Sequence, residues 1–160
     1  MTVQILPGFD RPHQVRELFS EYTKLIIDGD SGFREYLAIQ NFDEELLHLE
    51  RKYGPPGGRL YLAYYDQKLA GCVALRQLDE ESCELKRLYV RPKFRRNHIG
   101  GILVNRLITD ARSIGYKRIL LDTFPFLDTA IAMYRRRGFY EIPKYNNSPM
   151  ESTIYMQLDL

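Results

Sequence analysis

The chain is 160 residues long, enough for one ordinary domain and too short for two well-cored ones, so residues 1–160 are expected to form a single unit. Hydrophobic residues at 44% and charged residues at 28% exclude a disordered or fibrous chain, and no apolar run approaches the roughly 20 residues of a membrane span. The net charge of +2 hides an asymmetry: residues 1–60 hold ten acids against seven Lys/Arg, whereas Leu85 to Thr109 hold seven cations and no acid, so an anion is expected to dock there.

Thr2 to Leu6 reads as a short strand, turned at Pro7-Gly8 into a helix that Asp10 and Pro12 start. Val15, Leu18, Phe19, Tyr22, Ile26 and Ile27 recur at helical spacing along it. After Gly29 to Gly32 a less regular helical stretch is expected to run to about Tyr53, with Asp43 as a cap. Gly54-Pro55-Pro56-Gly57-Gly58 can continue neither periodicity. The pattern then becomes strand-like. Leu60 to Tyr65, a turn at Asp66-Gln67-Lys68 and Leu69 to Leu78 form a hairpin, and Ser82 to Val90 follows a turn at Asp79 to Glu81. Arg91-Pro92 ends that strand, because proline cannot donate to a central ladder.

Ile99, Ile102, Leu103, Leu107, Ala111 and Ile114 fall on one face of the next helix, which Gly115 stops. Arg118 to Asp122 reads as a buried strand, Leu127 to Arg137 as a helix ended by Gly138, and Phe139 to Ile142 and Glu151 to Leu160 as the last strands. An antiparallel run followed by strands interleaved with helices predicts an α/β (α+β) domain with a mixed sheet and helices on both faces. Cys72 and Cys83 sit in apolar strand-like segments without metal-ligand spacing and read as packed thiols; with no secretion-signal layout at Met1 to Pro7, a cytoplasmic location is expected.

The segment that carries chemistry runs from Leu85 to Gly101. A strand feeds a loop holding Arg91, Lys93, Arg95 and Arg96, and the loop opens into an amphipathic helix at Ile99. Backbone N–H groups at a helix N-terminus, aided by the macrodipole, bind anions, and Gly100 and Gly101 let a phosphate approach the main chain. A P-loop would need Gly-Lys-Ser/Thr and a Rossmann turn Gly-x-Gly-x-x-Gly with a later acid; neither is present.

Arg95-Arg96-Asn97-His98-Ile99-Gly100 resembles the cofactor motif Arg/Gln-x-x-Gly-x-Gly/Ala of the GNAT superfamily of N-acetyltransferases, with His98 in place of the first glycine. If that position needs a positive φ, histidine is among the less costly substitutes. Ala130-Ile131-Ala132-Met133-Tyr134-Arg135-Arg136-Arg137-Gly138-Phe139 is similar to a second family pattern, Ala-x-x-Leu-Tyr-x-x-x-Gly-Phe. The resemblance covers residues 60–142, and the first 58 by element order alone. It implies a mixed, mostly antiparallel sheet of about seven strands, splayed between the fourth and fifth, and acetyl-coenzyme A as acyl donor with no metal.

By the same resemblance the strand at Leu88, Tyr89 and Val90 would pair with the pantetheine arm, and Arg95, Arg96, Asn97, His98, Ile99, Gly100 and Gly101 would hold the pyrophosphate. Tyr134 occupies the position of the acid to the departing thiolate, and Glu84 that of a general base acting directly or through water. An amine with a reference pKa of about 10.4 must lose a proton before it attacks a thioester, and a carboxylate in a low-dielectric cleft can take it.

Each role has a plainer counterpart. Tyr134 could simply pack its ring, and Glu84 could be a solvated partner of Lys86 or Arg87. His98 among cations suits a phosphate contact or solvent, Cys83 lacks an identifiable base, and Arg135 to Arg137 suit a solvated helix end. A rival reading is a nucleic-acid-binding module on the basic 86–106 segment, against which stands the clustering of the cations around one loop. Another is a catalytically silent acyl-coenzyme A sensor. The acid excess of residues 1–60 would suit a cationic amine acceptor such as a polyamine, amino acid or aminoglycoside, and the last strands could support a homodimer.

Overall fold

A computed structural model describes residues 2–160. In chain order the elements are β1 (Val3–Pro7), α1 (Pro12–Gly29), α2 (Phe33–Ile39), α3 (Phe42–Leu47), α4 (Leu49–Tyr53), β2 (Arg59–Tyr65), β3 (Lys68–Gln77) and β4 (Ser82–Val90). A 3₁₀ turn at Pro92–Phe94 leads to α5 (Ile99–Ile114), β5 (Arg118–Thr123), α6 (Asp128–Arg136), β6 (Tyr140–Ile142) and β7 (Ile154–Asp159). The seven strands form one sheet in the order β1-β2-β3-β4-β5-β7-β6. Every neighbouring pair is antiparallel except β4 and β5, which run parallel. This is the mixed, mostly antiparallel sheet that the resemblance to the GNAT superfamily implies.

Alternation along β2 divides the core. Tyr61 and Ala63 face the α5 side with Leu103, Val104, Leu107 and Ala111, while Leu60, Leu62 and Tyr64 face α1 and α4 with Val15, Leu18, Phe19 and Tyr53. A smaller cluster joins Ile26, Phe33, Tyr36 and Leu37 to Phe124 beyond β5. Helices therefore cover both faces, and no helix among the described residues is long and apolar enough to cross a membrane. The β2–β3 hairpin turns on Asp66 and Gln67, both at positive φ (48° and 70°), as a tight two-residue connection requires.

Several local expectations shift. Asp10 does not cap α1; its N-cap is Arg11, without a side-chain bond, and Pro12 supplies the start. The irregular stretch before Tyr53 is three short helices, divided at Asn41 and His48. Asn41, at φ 55°, is the N-cap of α3, and Asp43 lies inside the first turn, where its charge favours the positive end of the dipole. The last strand starts at Ile154 instead of Glu151, and Phe139 precedes β6 as a buried residue at the foot of α6.

Candidate active site

Strands β4 and β5 pair over only three positions, Ser82 with Arg118, Cys83 with Ile119 and Glu84 with Leu120. Beyond Glu84 they part, and a cleft of about 990 Å³ opens between Leu85 to Val90 on one side and Asp122 to Phe124 on the other. A bulge drives the separation. Opposite β3, the register passes from Ala74↔Lys86 to Cys72↔Tyr89, leaving an extra residue in β4, and Arg87 takes φ 60° to accommodate it. Bulges bend a strand and deepen its twist, which carries the second half of β4 away from β5.

At the end of β4 the 3₁₀ turn reverses the chain into the basic loop. Arg96 (φ 71°) and His98 (φ 62°) both adopt left-handed backbone, so the position that the motif assigns to glycine does require positive φ and histidine meets it. Among the described residues, none of the backbone amides from Arg96 to Gly101 donates a hydrogen bond within the chain. Six consecutive donors, the N-terminus of a 16-residue helix and the nearby cations make an anion cradle. Asn97 braces it from behind, its Nδ2 donating to the Phe94 carbonyl at 2.9 Å. Arg137, whose Nε donates to Asn105 Oδ1 at 2.8 Å, stands over Gly101: a Cβ there would lie 2.5 Å from Arg137 Nη2.

Of the residues singled out from sequence, Leu88 to Val90, Arg95, Arg96, His98 to Gly101 and Tyr134 line this one cleft. Asn97 and Glu84 do not. Tyr134 projects from α6, 5% exposed, with its ring 5.5 Å from that of Phe139. Burial, with smaller contributions from Tyr22 and Asp122, pushes its phenol well above the ordinary tyrosine value, so the proton stays on. Its hydroxyl has no hydrogen-bond partner among the described residues. Arg95 Nε reaches back to the Val90 carbonyl at 3.2 Å, so one strand-edge acceptor has a side-chain partner.

Glu84 is 4% exposed and held from three sides: Tyr145 Oη donates to Oε2 at 2.5 Å, and Arg76 and Lys86 lie 3.4 and 3.7 Å from Oε1. It is thus a buried, paired carboxylate instead of a solvated one. Asp122, the penultimate residue of β5, does line the cleft; it accepts hydrogen bonds from Tyr36 Oη and from Asn146 Nδ2, the latter at 2.8 Å. Adjacent residues of the β6–β7 loop, Tyr145 and Asn146, therefore grip the two carboxylates. Sequence reading missed Asp122, Tyr36, Tyr145 and Asn146; the one local signal was an acid ending a buried strand.

The acid excess of residues 1–60 does not face the cleft. Its walls from that region are Tyr22, Leu25, Phe33 and Gln40, all uncharged. Three of the acids are engaged elsewhere with arginines, Glu17 and Glu21 with Arg91 at 2.6 and 2.8 Å, and Glu45 with Arg87 at 2.9 Å. Cys72 and Cys83 are buried, unpaired thiols, and burial, followed by the charge of Glu84, pushes Cys83 up to about 12, which leaves it without nucleophilic thiolate at neutral pH.

The acetyltransferase (GNAT) family model matches residues 13–139. An uncharacterised N-acetyltransferase of Schizosaccharomyces pombe is 38% identical over 142 residues, spanning 88% of this chain and 87% of its own. An acetyltransferase of Streptococcus agalactiae superposes with a TM-score of 0.76 at 23% identity over 99% of this chain and 98% of that one. The PaiA N-acetyltransferase of Thermoplasma acidophilum, solved in complex with coenzyme A, superposes with a TM-score of 0.75 at 18% identity over the whole of both chains. With the family model spanning most of its length and a relative of this similarity, the chain is a member of the GNAT family of acetyltransferases.

Proposed function

We propose that the protein transfers the acetyl group of acetyl-coenzyme A to a primary amine by direct attack. The observation that supports this reading above the others is the run of six backbone amides, Arg96 to Gly101, without acceptors within the chain at the mouth of a cleft of coenzyme dimensions. The pyrophosphate would sit on those amides, with Arg95, Arg96, Arg136 and Arg137 beside it, and the pantetheine arm would lie along Leu88 to Val90 like an added strand. The amine nitrogen attacks the thioester carbonyl, the N–C bond forms and the C–S bond breaks. The nitrogen's proton passes to a carboxylate, the sulfur leaves as a thiolate that Tyr134 faces, and the thiolate then takes up a proton, in net the one that nitrogen gave up, which restores the carboxylate. Products are the N-acetylated amine and coenzyme A thiol.

Gly100 separates affinity from stability. A Cβ at this position would meet nothing closer than Val90 Cγ2 at 3.8 Å, and glycine inside a helix is about 0.5–1 kcal/mol worse than alanine, so Gly100→Leu is expected to fold with an unchanged or raised unfolding midpoint. Its side chain would nevertheless fill the cradle. Calorimetry should record coenzyme A binding weakened at least about tenfold, as expected where close backbone approach to a phosphate is lost. Full affinity in that variant removes the turn from the site.

Glu84, set behind Lys86 and Tyr145, would take the amine's proton through a water. The exposure of Asp122 to the cleft favours a second reading in which Asp122 takes it directly. Glu84→Gln and Asp122→Asn, assayed by thiol release with saturating acetyl-coenzyme A, distinguish the two. Loss of the base is expected to lower turnover about 10²- to 10⁴-fold with cofactor affinity retained. Whichever variant carries that loss names the carboxylate, and normal turnover in both ends the case for a carboxylate base.

A further inference from the structure

The cleft continues past the acyl-donor half toward α1 and α2, and its chemistry changes there. Lys86 lines this part although only 7% exposed, and its ammonium is poorly matched: Gln40 Oε1 accepts at 3.2 Å, while the nearest carboxylate oxygen, Glu84 Oε1, is 3.7 Å away. An ammonium has three donors, and a buried cation short of partners is costly. Its neighbour Arg87 is in the opposite state, with Nε and Nη2 bound to the two oxygens of Glu45, both at 2.9 Å, and Nη2 also to Gln40 Oε1 at 2.7 Å.

The connected set around Lys86 contains Lys52, Arg76, Lys86 and Arg87 against Glu45, Glu84 and Asp122, a surplus of one positive charge. Asp122 supplies the one carboxylate that reaches the cleft there. Asp128, at the start of α6, is the other acid on the wall and is exposed. The remaining surface is apolar and aromatic. Phe33 meets Phe124 edge-on at 5.6 Å, Phe124 stacks on Phe126 at 5.9 Å, and Leu25 and Phe126 remain 36% and 43% exposed. Large apolar side chains left in water at a cleft wall call for an apolar group to cover them.

We propose that the acceptor is an α-amino acid with an apolar side chain, its carboxylate on Lys86 Nζ, its amine toward Asp122 and its side chain among Leu25, Phe33, Phe124 and Phe126. The assignment rests on the acyltransferase reading above. In the attacking form the amine is neutral and the carboxylate supplies the single negative charge that the cluster lacks. The step is the one already written, giving an N-acetyl amino acid and coenzyme A thiol, with the ammonium's two surplus protons going one to the base and one to the thiolate. A polyamine has no group for Lys86 and would bring further positive charge to an already cationic set.

Thiol release from acetyl-coenzyme A by the intact protein tests this with leucine, methionine and phenylalanine, their primary amides, phenethylamine and spermidine, while coenzyme A binding is measured by calorimetry. The free apolar amino acids are expected to exceed their amides and phenethylamine in kcat/KM by roughly 10- to 100-fold, the range for losing a charge-assisted hydrogen bond. Lys86→Met should bring that acid-to-amide ratio close to one, whereas a merely structural lysine would lower both acceptors alike and leave the ratio where it was. Amides, phenethylamine or spermidine matching the free acids overturns the acceptor assignment with the acyltransferase reading intact. Coenzyme A binding with no panel member acetylated also overturns it. Failure to bind coenzyme A at all defeats both.

Discussion

Tyr134→Phe is expected to lower turnover about 10²- to 10⁴-fold at saturating acetyl-coenzyme A while changing the coenzyme A Kd by no more than about twofold. The ring is packed in the core against Phe139, and phenylalanine preserves that packing. The hydroxyl lies on a cleft-lining residue and has no partner among the described residues, so deleting it strands no buried donor and the unfolding midpoint should hold. Tyr53 shows the contrast: its hydroxyl donates to Glu45 Oε2 at 2.7 Å and is a structural bond. Burial raises the Tyr134 phenol well above the usual range, so it carries its proton at every working pH. A phenol, at about 10 before burial raises it further, does not surrender its proton outright to a thiolate of ordinary basicity, with a conjugate acid near about 8.5. On the proposed mechanism it would donate a hydrogen bond as charge develops on sulfur, an interaction stronger in the transition state than in the ground state, and the loss would therefore fall on kcat. Turnover in the variant equal to that of the parent protein would take Tyr134 out of the mechanism.

What the sequence disclosed follows from how local each signal is. The buried positions Ile99, Leu103, Leu107 and Ala111 of α5, the Asp66-Gln67 hairpin turn and the stop at Gly115 (φ 107°) are set by neighbours within a few residues and lie where periodicity and turn chemistry place them, whereas Ile102, expected on the same face, is 37% exposed on the cleft wall. The strand, basic loop and helix N-terminus on one side of the cleft were legible for the same reason, since they are consecutive. The wall beyond β5 and α2 was not. Tyr36 reaches Asp122 across 86 residues, and Asn146 reaches Tyr36 across 110, so no spacing in the chain announces the group. Charge counting misled at residues 1–60 because it is blind to pairing: Glu17, Glu21 and Glu45 are matched to Arg91 and Arg87 of the β4 region, and the residues of this region that line the cleft are uncharged. Caps went astray at Asp10 and Asp43 because Arg11 and Asn41 take the boundary backbone conformations without side-chain bonds.

Glu45→Gln is expected to cost about 3–5 kcal/mol of stability at pH 7, the range for breaking a buried ion pair from one side. Glu45 is 4% exposed and gathers Arg87 through two bonds at 2.9 Å, Lys52 at 2.6 Å and Tyr53 at 2.7 Å. Burial by itself would raise its carboxyl; Arg87, then Lys52, outweigh that and hold it down at about 2. Lys52 responds in the other sense, pushed down to about 8 by burial and then by the charge of Lys86 against the pull of Glu45, so Arg87 is the partner that matters. A carboxylate held below its ordinary value stabilises the fold fully above its unfolded pKa, near 4.5, and that contribution fades as pH falls through 4.5 toward 2. The depression corresponds to about 3 kcal/mol at 1.36 kcal/mol per unit. Urea unfolding across pH 2 to 7 should therefore show the parent and the variant converging toward pH 2, diverging as pH rises from about 2 to about 4.5, and keeping a constant gap above that. The same pair seats Arg87 in the bulge that parts β4 from β5, so the variant should also loosen the cleft wall formed by Gln40 and Lys86, and on the proposed function it would lose acceptor binding before coenzyme A binding. A deficit below about 1 kcal/mol at pH 7, or one unchanged across the acid range, would show that Arg87 is held by something other than Glu45.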